Sequence, residues 1–233
     1  MEPRSTRLPV VGIVGGLGPA ATVFYYRELL RAFDEAGIAP AMFIAHADVG
    51  YVLECAGGGR LAELAGYLDG VLGSLVAAGA SVTAISAVTP HIAGPLLATS
   101  SVVRVDLIES VKAYLTAHRI RTVGILGTRF TVESSLFGRL DGVEVLRPTD
   151  AEMGRMHELY LEIVGTGRAS ATLSGELRVM AQGLIDRGAK SVLLAGTELS
   201  LAFPEGGAGF PLVDAARVHV GAIVGAVKAG ARS

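Results

Sequence analysis

Two short loops in this 233-residue chain carry residue types suited to acid/base chemistry. Thr89 stands shortly before His91 in the first loop, and Thr197 directly precedes Glu198 in the second. A histidine titrates near neutral pH and a glutamate can act as its opposing acid or base, so His91 and Glu198 are candidate catalytic residues. The threonine hydroxyls, next to backbone N–H groups, suit a carboxylate or a developing enolate oxygen. Helix capping is the alternative role for these residues.

Weaker candidates come from other loops of the chain. Asp48 is a third candidate acid or base, while Ser86, Thr128 and Thr131 offer hydroxyls that can bind a ligand or cap a helix. Cys55, the single cysteine, is expected in a loop before a triple glycine. A lone cysteine is either a nucleophile or a small hydrophobic side chain, so its role stays open.

A glycine-rich turn follows the first predicted strand and ends at Pro19, a residue favoured at the first position of a helix. Gly16, Leu17 and Gly18 would let an anion approach the N–H groups at the start of that helix, where the helix dipole is positive. The glycine spacing also fits a dinucleotide fingerprint, with Asp48 as a distant acidic partner. A purely structural tight turn is the third possibility. The short, repeated chain favours an anion site for a small acid.

The elements that must position these loops alternate between β-branched runs and longer amphipathic segments, a pattern typical of βαβ units and parallel sheets. The predicted strands are Val10–Val14, Ala41–Ala45, Ser81–Ser86, Val102–Asp106, Thr122–Leu126, Val143–Leu146, Ser191–Ala195 and Leu212–Val213. The predicted helices are Ala20–Ala36, Arg60–Ala78, Leu107–Ala117, Asp150–Val164, Ala171–Arg187 and Ala215–Ala229. The fold class is therefore α/β.

An internal repeat divides the chain into similar halves. Val11-Gly-Ile-Val-Gly15 reappears as Val123-Gly-Ile-Leu-Gly127, and Val105-Asp106 reappears as Val213-Asp214. We therefore expect two pseudo-symmetric, flavodoxin- or Rossmann-like lobes, one comprising residues 1–106 plus 210–233 and the other residues 107–209. Because ligands bind beyond the carboxyl ends of parallel strands, the active-site cleft is expected between the lobes.

Composition excludes several classes of function. A net charge of −2 with no basic run argues against nucleic acid, and the apolar segments are too interrupted to span a membrane. One cysteine and scattered histidines predict no metal site and fit a reducing, cytoplasmic compartment. Seventeen arginines against three lysines favour a bacterial, GC-rich origin and a role in specialised metabolism.

Four motifs, in the same order along the chain, resemble those of the aspartate/glutamate racemase superfamily. The glycine-rich turn ending at Pro19 is similar to the opening motif of aspartate racemases, and Thr89-Pro-His91 is similar to the end of their first cysteine loop. Gly127-Thr-Arg-Phe-Thr131 matches their Gly-Thr-x-x-Thr turn, and Gly196-Thr-Glu-Leu199 is similar to their second cysteine loop. The resemblance runs from about residue 9 to residue 228.

The resemblance implies a cofactor-independent enzyme in which two thiols exchange the α-proton of the substrate, and relatives commonly form homodimers. Aligned on the threonines, however, the two cysteine positions are Ala87 and Gly196. Neither residue can move a proton, so the two-thiol mechanism is lost. The arginine and lysine that relatives place near the substrate carboxylates are also missing, which makes aspartate an unexpected substrate.

The sequence therefore predicts a cofactor-independent enzyme of this fold, an isomerase, lyase, cyclase or decarboxylase. It would act by enolate-type acid/base chemistry on a small carboxylate or ketone. Two alternatives stay open: a non-catalytic small-molecule-binding pseudoenzyme, and an amino-acid racemase that uses other residues.

Overall fold

The protein is described by a computed structural model that covers residues 8–134, 136–203 and 208–231. The strands are β1 (Val11–Gly15), β2 (Met42–His46), β3 (Val82–Ile85), β4 (Val103–Val105), β5 (Thr122–Leu126), β6 (Glu144–Leu146), β7 (Ser191–Leu194) and β8 (Leu212–Asp214). The helices are α1 (Pro19–Glu35), α2 (Val49–Gly57), α3 (Leu61–Ala77), α4 (Leu107–Ala117), α5 (Arg129–Glu133), α6 (Asp150–Thr166), α7 (Ala171–Asp186) and α8 (Ala215–Gly230). Three 3-10 segments are Thr89–Leu96, Leu136–Arg139 and Thr197–Leu201.

Each of two compact units contains one parallel four-stranded sheet. The order is β2-β1-β3-β4 in the first unit and β6-β5-β7-β8 in the second, so the two halves share one topology. The predicted α/β fold with two parallel-sheet lobes is confirmed, and every predicted strand is present within one or two residues of its predicted ends. No helix among the described residues is long and apolar enough to cross a membrane.

The repeated Val-Gly-Ile motif has a packing reason in both sheets. A Cβ atom on Gly12 would lie 2.8 Å from the Cβ atom of Ala80, and one on Gly124 would lie 2.6 Å from the Cβ atom of Leu184. Leu184 belongs to α7, which packs on β5, while α3 packs on β1 in the first unit. Glycine at the second position of the motif thus lets a helix approach the central strand closely.

Two helices were missed, α2 and the short α5, and the first of them changes the setting of Cys55. The segment predicted as a loop is α2, and Cys55 is fully buried on its inner face. Asp48 is the N-cap residue of this helix, because its carboxylate accepts a hydrogen bond from the Tyr51 N–H at 3.1 Å. A buried cysteine on an amphipathic helix packs as a small hydrophobic residue.

The division between the units also differs from the predicted lobes. The segment from residue 210 was expected to return to the first lobe, but β8 pairs with β7, so residues 210–218 belong to the second unit. Residues 87–92 join that unit as well. From His219 onward α8 belongs to the first unit, where the buried His219 ring binds the Tyr25 hydroxyl and the Val105 carbonyl, each at 2.9 Å. Residues 1–7 and 232–233 of the predicted first lobe and 204–207 of the second lie outside the described residues.

Asp214 ends β8 and starts α8 with a buried carboxylate. Its Oδ1 atom accepts hydrogen bonds from the N–H groups of Ala216 at 2.9 Å and Arg217 at 3.2 Å, and Oδ2 accepts from the Arg217 guanidinium at 3.2 Å. Burial outweighs these bonds and raises the pKa of Asp214 above its ordinary value. The folded state therefore binds this proton more tightly than the unfolded chain does.

Asp214→Asn should change how stability depends on pH. A raised folded-state pKa contributes stability below the unfolded pKa of about 3.9, and this contribution is lost as the pH rises through the folded pKa. The asparagine keeps an oxygen for the same N–H groups but does not ionise. We therefore expect the free energy of unfolding of wild type, relative to Asp214→Asn, to fall as the pH rises from about 4 in urea titrations. A relative free energy that rises over this range would contradict the assignment.

Candidate active site

The carboxyl ends of the parallel strands carry most of the residues that the sequence singled out. In the first unit the glycine-rich turn follows β1, Asp48 follows β2, and Ser86 follows β3. In the second unit Thr128 follows β5 and Thr197 follows β7. Since each edge belongs to a separate compact unit, the two sets of residues are described one unit at a time. The cleft between the lobes stays a prediction from the sequence.

The glycine-rich turn in the first unit is held by Thr22. The Gly16 N–H donates to the Thr22 hydroxyl at 2.9 Å, and that hydroxyl donates to the Gly18 carbonyl at 3.2 Å. Gly16 has a φ of 83°, and a Cβ atom there would lie 2.6 Å from the carbonyl oxygen of Ala47. Both the backbone conformation and the close approach require glycine.

This hydrogen bonding leaves fewer backbone N–H groups for the predicted anion site. The Gly16 N–H is engaged by Thr22, so it is not placed to hold an anion, and the Leu17 side chain is buried. Gly18 is the N-cap residue of α1, with φ 124°, and Pro19 occupies the first helical position as predicted. Because glycine has no capping side chain, the first turn of α1 is the part of this loop that keeps the predicted anion-binding role.

Ser86 and Asp48 have local structural partners. The buried Ser86 hydroxyl donates to the Val14 carbonyl at 2.9 Å, which ties the end of β3 to β1. Asp48 is exposed and caps α2, and its own N–H donates to the Tyr67 hydroxyl at 2.6 Å. The bonding of Asp48 fits a capping role better than the predicted role of acid or base.

Thr128 and Thr131 in the second unit bind each other. Their hydroxyl oxygens are 2.9 Å apart, and Thr128 caps α5 by accepting from the Thr131 N–H at 3.1 Å. The neighbouring Gly127 N–H donates to the sulfur of Met156 at 3.3 Å. The capping alternative is therefore realised at Thr128, and Thr131 is buried beneath it.

The loop after β3 holds Thr89 and His91 in the 3-10 segment Thr89–Leu96. Thr89 is partly exposed, and no hydrogen bond to its hydroxyl is found among the described residues. His91 is only 2% exposed, its N–H donates to the Val88 carbonyl, and its carbonyl accepts from Arg139. Ala87, at the first position aligned with a cysteine, is buried. The Thr89 side chain is thus partly open to solvent, whereas the His91 side chain is enclosed by protein.

Glu198 is a buried carboxylate of the second unit. It lies in the 3-10 segment Thr197–Leu201 directly after β7 and is 3% exposed. Its Oε2 atom accepts a hydrogen bond from the Tyr160 hydroxyl and another from the Thr197 hydroxyl, the latter at 2.9 Å. Burial and the neighbouring carboxylate raise the pKa of Tyr160 well above its ordinary value. The phenol therefore stays protonated and acts as a permanent donor to Glu198.

Tyr160 was not singled out by the sequence analysis, although a signal for it exists. It follows Met156 by one turn of α6 and lies on the same buried side of that helix. A phenol on a buried helix face needs a polar partner, and this spacing could have directed attention to it. Its ring lies against Gly196, where an added Cβ atom would be 2.8 Å from the Tyr160 Cε2 atom.

The polar groups of the described residues do not form a metal site. No group of three or more histidine, cysteine, aspartate and glutamate side chains among these residues is placed to hold a metal ion. The strand ends offer hydroxyls, backbone N–H groups and carboxylates, and Glu198 is one of these carboxylates.

Comparison with known proteins defines the class. Residues 14–223 match the family model described as Asp/Glu/Hydantoin racemase, which covers most of the chain, and the protein belongs to this family. A Yersinia pestis structure provisionally assigned as an Asp/Glu racemase superimposes with a TM-score of 0.82 at 23% identity, covering 96% of this chain and 99% of the other.

Two further structures show the same fold. An aspartate racemase homologue from Pyrococcus horikoshii OT3 gives a TM-score of 0.78 at 24% identity, covering 95% of this chain and 100% of the other. A glutamate racemase from Thermus thermophilus in complex with β-chloro-D-alanine gives 0.65 at 18% identity, covering 97% and 82%. The predicted superfamily resemblance is confirmed, and at these identities the structures establish the fold.

Gly16→Ala should destabilise the first unit. The alanine would combine an unfavourable positive φ with a close approach to the Ala47 carbonyl, so we expect a loss of about 1–3 kcal/mol in the free energy of unfolding. Gly66→Ala is the matched control, because it lies on α3 with no heavy atom within 4 Å of the added Cβ atom, and it should stabilise by about 0.4–1 kcal/mol. Urea titrations measure both. Equal effects of the two substitutions would contradict the assignment.

Proposed function

We propose that this racemase-family protein is a cofactor-independent enzyme that moves a proton on a small carboxylate or ketone through an enolate-type intermediate. Within that class it is an isomerase, lyase, cyclase or decarboxylase that does not use two thiols. The observation that carries the proposal is the buried Glu198 carboxylate at the end of β7, held by Tyr160 and Thr197. A carboxylate in a dry setting with fixed donors is suited to proton transfer.

The substrate class rests on the remaining donors. The Thr89 hydroxyl and the first turn of α1 supply donors of the kind that bind a carboxylate or an enolate oxygen. A relative of the same fold, the glutamate racemase from Thermus thermophilus, was crystallised with β-chloro-D-alanine, a small amino acid. We infer that the substrate of this protein is likewise a small acid, and that His91 supports the second proton-transfer step. The homodimer and the cytoplasmic location stay predictions from the sequence.

A non-catalytic binding protein is the second candidate. It is favoured by Ala87 and Gly196, which have no side chain able to move a proton, and by the enclosure of the His91 ring. In that case the same donors would bind a small acid without chemistry. The two candidates differ in whether the α-proton of a bound acid exchanges with solvent.

Proton exchange in D2O separates these candidates. We expect at least one member of a panel of amino acids, dicarboxylates, malonates and β-keto acids to lose its α-proton NMR signal faster than in an enzyme-free blank. Glu198→Gln should lower that rate by about 10²–10⁴-fold, because the amide keeps the hydrogen-bond acceptor but cannot take up a proton. His91→Ala should also lower the rate if the ring supports the second step.

Glu158→Gln is the matched control for this experiment. Glu158 is an exposed glutamate on α6 that pairs with Arg155, so its substitution should leave the exchange rate unchanged. Saturation transfer from protein to ligand reports binding in the same samples. Binding without exchange across the whole panel would favour the binding protein over the enzyme.

A further inference from the structure

Glycine at position 196 is required by a neighbouring side chain and not by the backbone conformation. Its φ of −158° is an extended conformation that any residue adopts. The restriction comes from the Tyr160 ring, because a Cβ atom on residue 196 would lie 2.8 Å from the Tyr160 Cε2 atom. The volume that a side chain at position 196 would fill is therefore taken by an aromatic ring from α6.

The same ring carries the hydroxyl that binds Glu198. Tyr160 and Thr197 both donate to Oε2 of the carboxylate, so within the described residues Oε1 is the oxygen left to take up a proton. Glu198 lies two residues after the vacated position and is 3% exposed. A tyrosine that stays protonated cannot itself act as a base, but it can fix the orientation of the carboxylate.

We propose that the Tyr160 ring fills the space that a side chain at position 196 would occupy, and that Glu198 performs the proton transfer that glycine at this position cannot. Glu198 is the proton-transfer group, and Tyr160 is the positioning residue that holds it. The proton leaves the substrate carbon for Oε1, and the electron pair of the broken C–H bond stays on the substrate as an enolate. The proton then returns to carbon or exchanges with water. The assignment has two halves. The chemical half, proton transfer by Glu198 and its positioning by Tyr160, rests on the proposed function. The packing half, the contact of the Tyr160 ring with Gly196, is independent of any substrate.

The packing half is tested by a double-mutant cycle on the free energy of unfolding. Gly196→Ala should destabilise wild type, because the added methyl group displaces the Tyr160 ring from Glu198, and it should have a smaller effect in the Tyr160→Ala background. Gly175→Ala, on α7 with open space around the added Cβ atom, is the control and should behave alike in both backgrounds. Equal effects of Gly196→Ala in the two backgrounds would overturn the packing half.

The chemical half is tested with Tyr160→Phe, which keeps the ring in place and removes only the hydroxyl. The probes are malonate and acetoacetate in D2O, with C–H exchange followed by ¹H NMR against an enzyme-free blank. We expect kcat to fall at least about tenfold with little change in KM, and the pH at which the rate is half-maximal to shift. In a Glu198→Gln background the same substitution should have no further effect on the rate.

The outcomes separate this inference from the proposed function. If wild type exchanges either probe and Tyr160→Phe keeps the kcat and pH profile of wild type, Tyr160 has no positioning role and the assignment is wrong. If wild type exchanges neither probe, the same variants are compared on the panel member that it does exchange. If it exchanges no member of the panel, the proposed chemistry fails and takes the role of Glu198 with it. The double-mutant cycle then decides the packing half alone.

Discussion

Parallel pairing of the strands is the constraint on which the rest of this protein depends. Every strand in both sheets runs parallel to its neighbours, so the carboxyl ends in each unit lie at a single edge. The segments that follow β1 and β2 are therefore brought together in the first unit, and those that follow β5 and β7 in the second, although they are far apart in the sequence. Glycines in the central strands let the covering helices pack closely enough to keep these edges in place.

Glu198 is a buried carboxylate at the carboxyl edge of the second sheet. Burying a carboxylate is unfavourable unless hydrogen bonds replace its water, and here two hydroxyls, from the preceding residue Thr197 and from Tyr160 of α6, provide them. No arginine or lysine is needed to keep it in place. This bonding distinguishes Glu198 from the exposed Glu158 of α6, which pairs with Arg155.

The sequence predicted what is encoded locally. Short apolar runs located all eight strands, and the repeat predicted two sheets of the same topology. It missed the five-residue α5 and also α2, which is only nine residues long and runs into three consecutive glycines that favour a loop, and so placed Cys55 in a loop. It also assigned β8 to the first lobe, because the partner of an edge strand is decided by tertiary packing, which the local pattern does not report.

The candidate site was only partly predictable for the same reason. Thr197 and Glu198 were identified from their motif, but Tyr160, which binds Glu198, lies 38 residues away on another element. Asp48, Ser86 and Thr128 were recognised as polar loop residues, but only the structure shows that their side chains form hydrogen bonds with backbone groups. Capping and ligand binding draw on the same residue types, so sequence alone cannot separate them.

The central claim is that a carboxylate, and no thiol, moves the proton in this member of the racemase family. Cys55 is the single cysteine of the chain, so Cys55→Ala removes every thiol in one step. The measurement is the C–H exchange rate of malonate and acetoacetate in D2O with this variant, after its unfolding midpoint shows that it is folded. The account predicts the wild-type exchange rate. Loss of exchange in the folded variant would show that a thiol is required and would contradict the account.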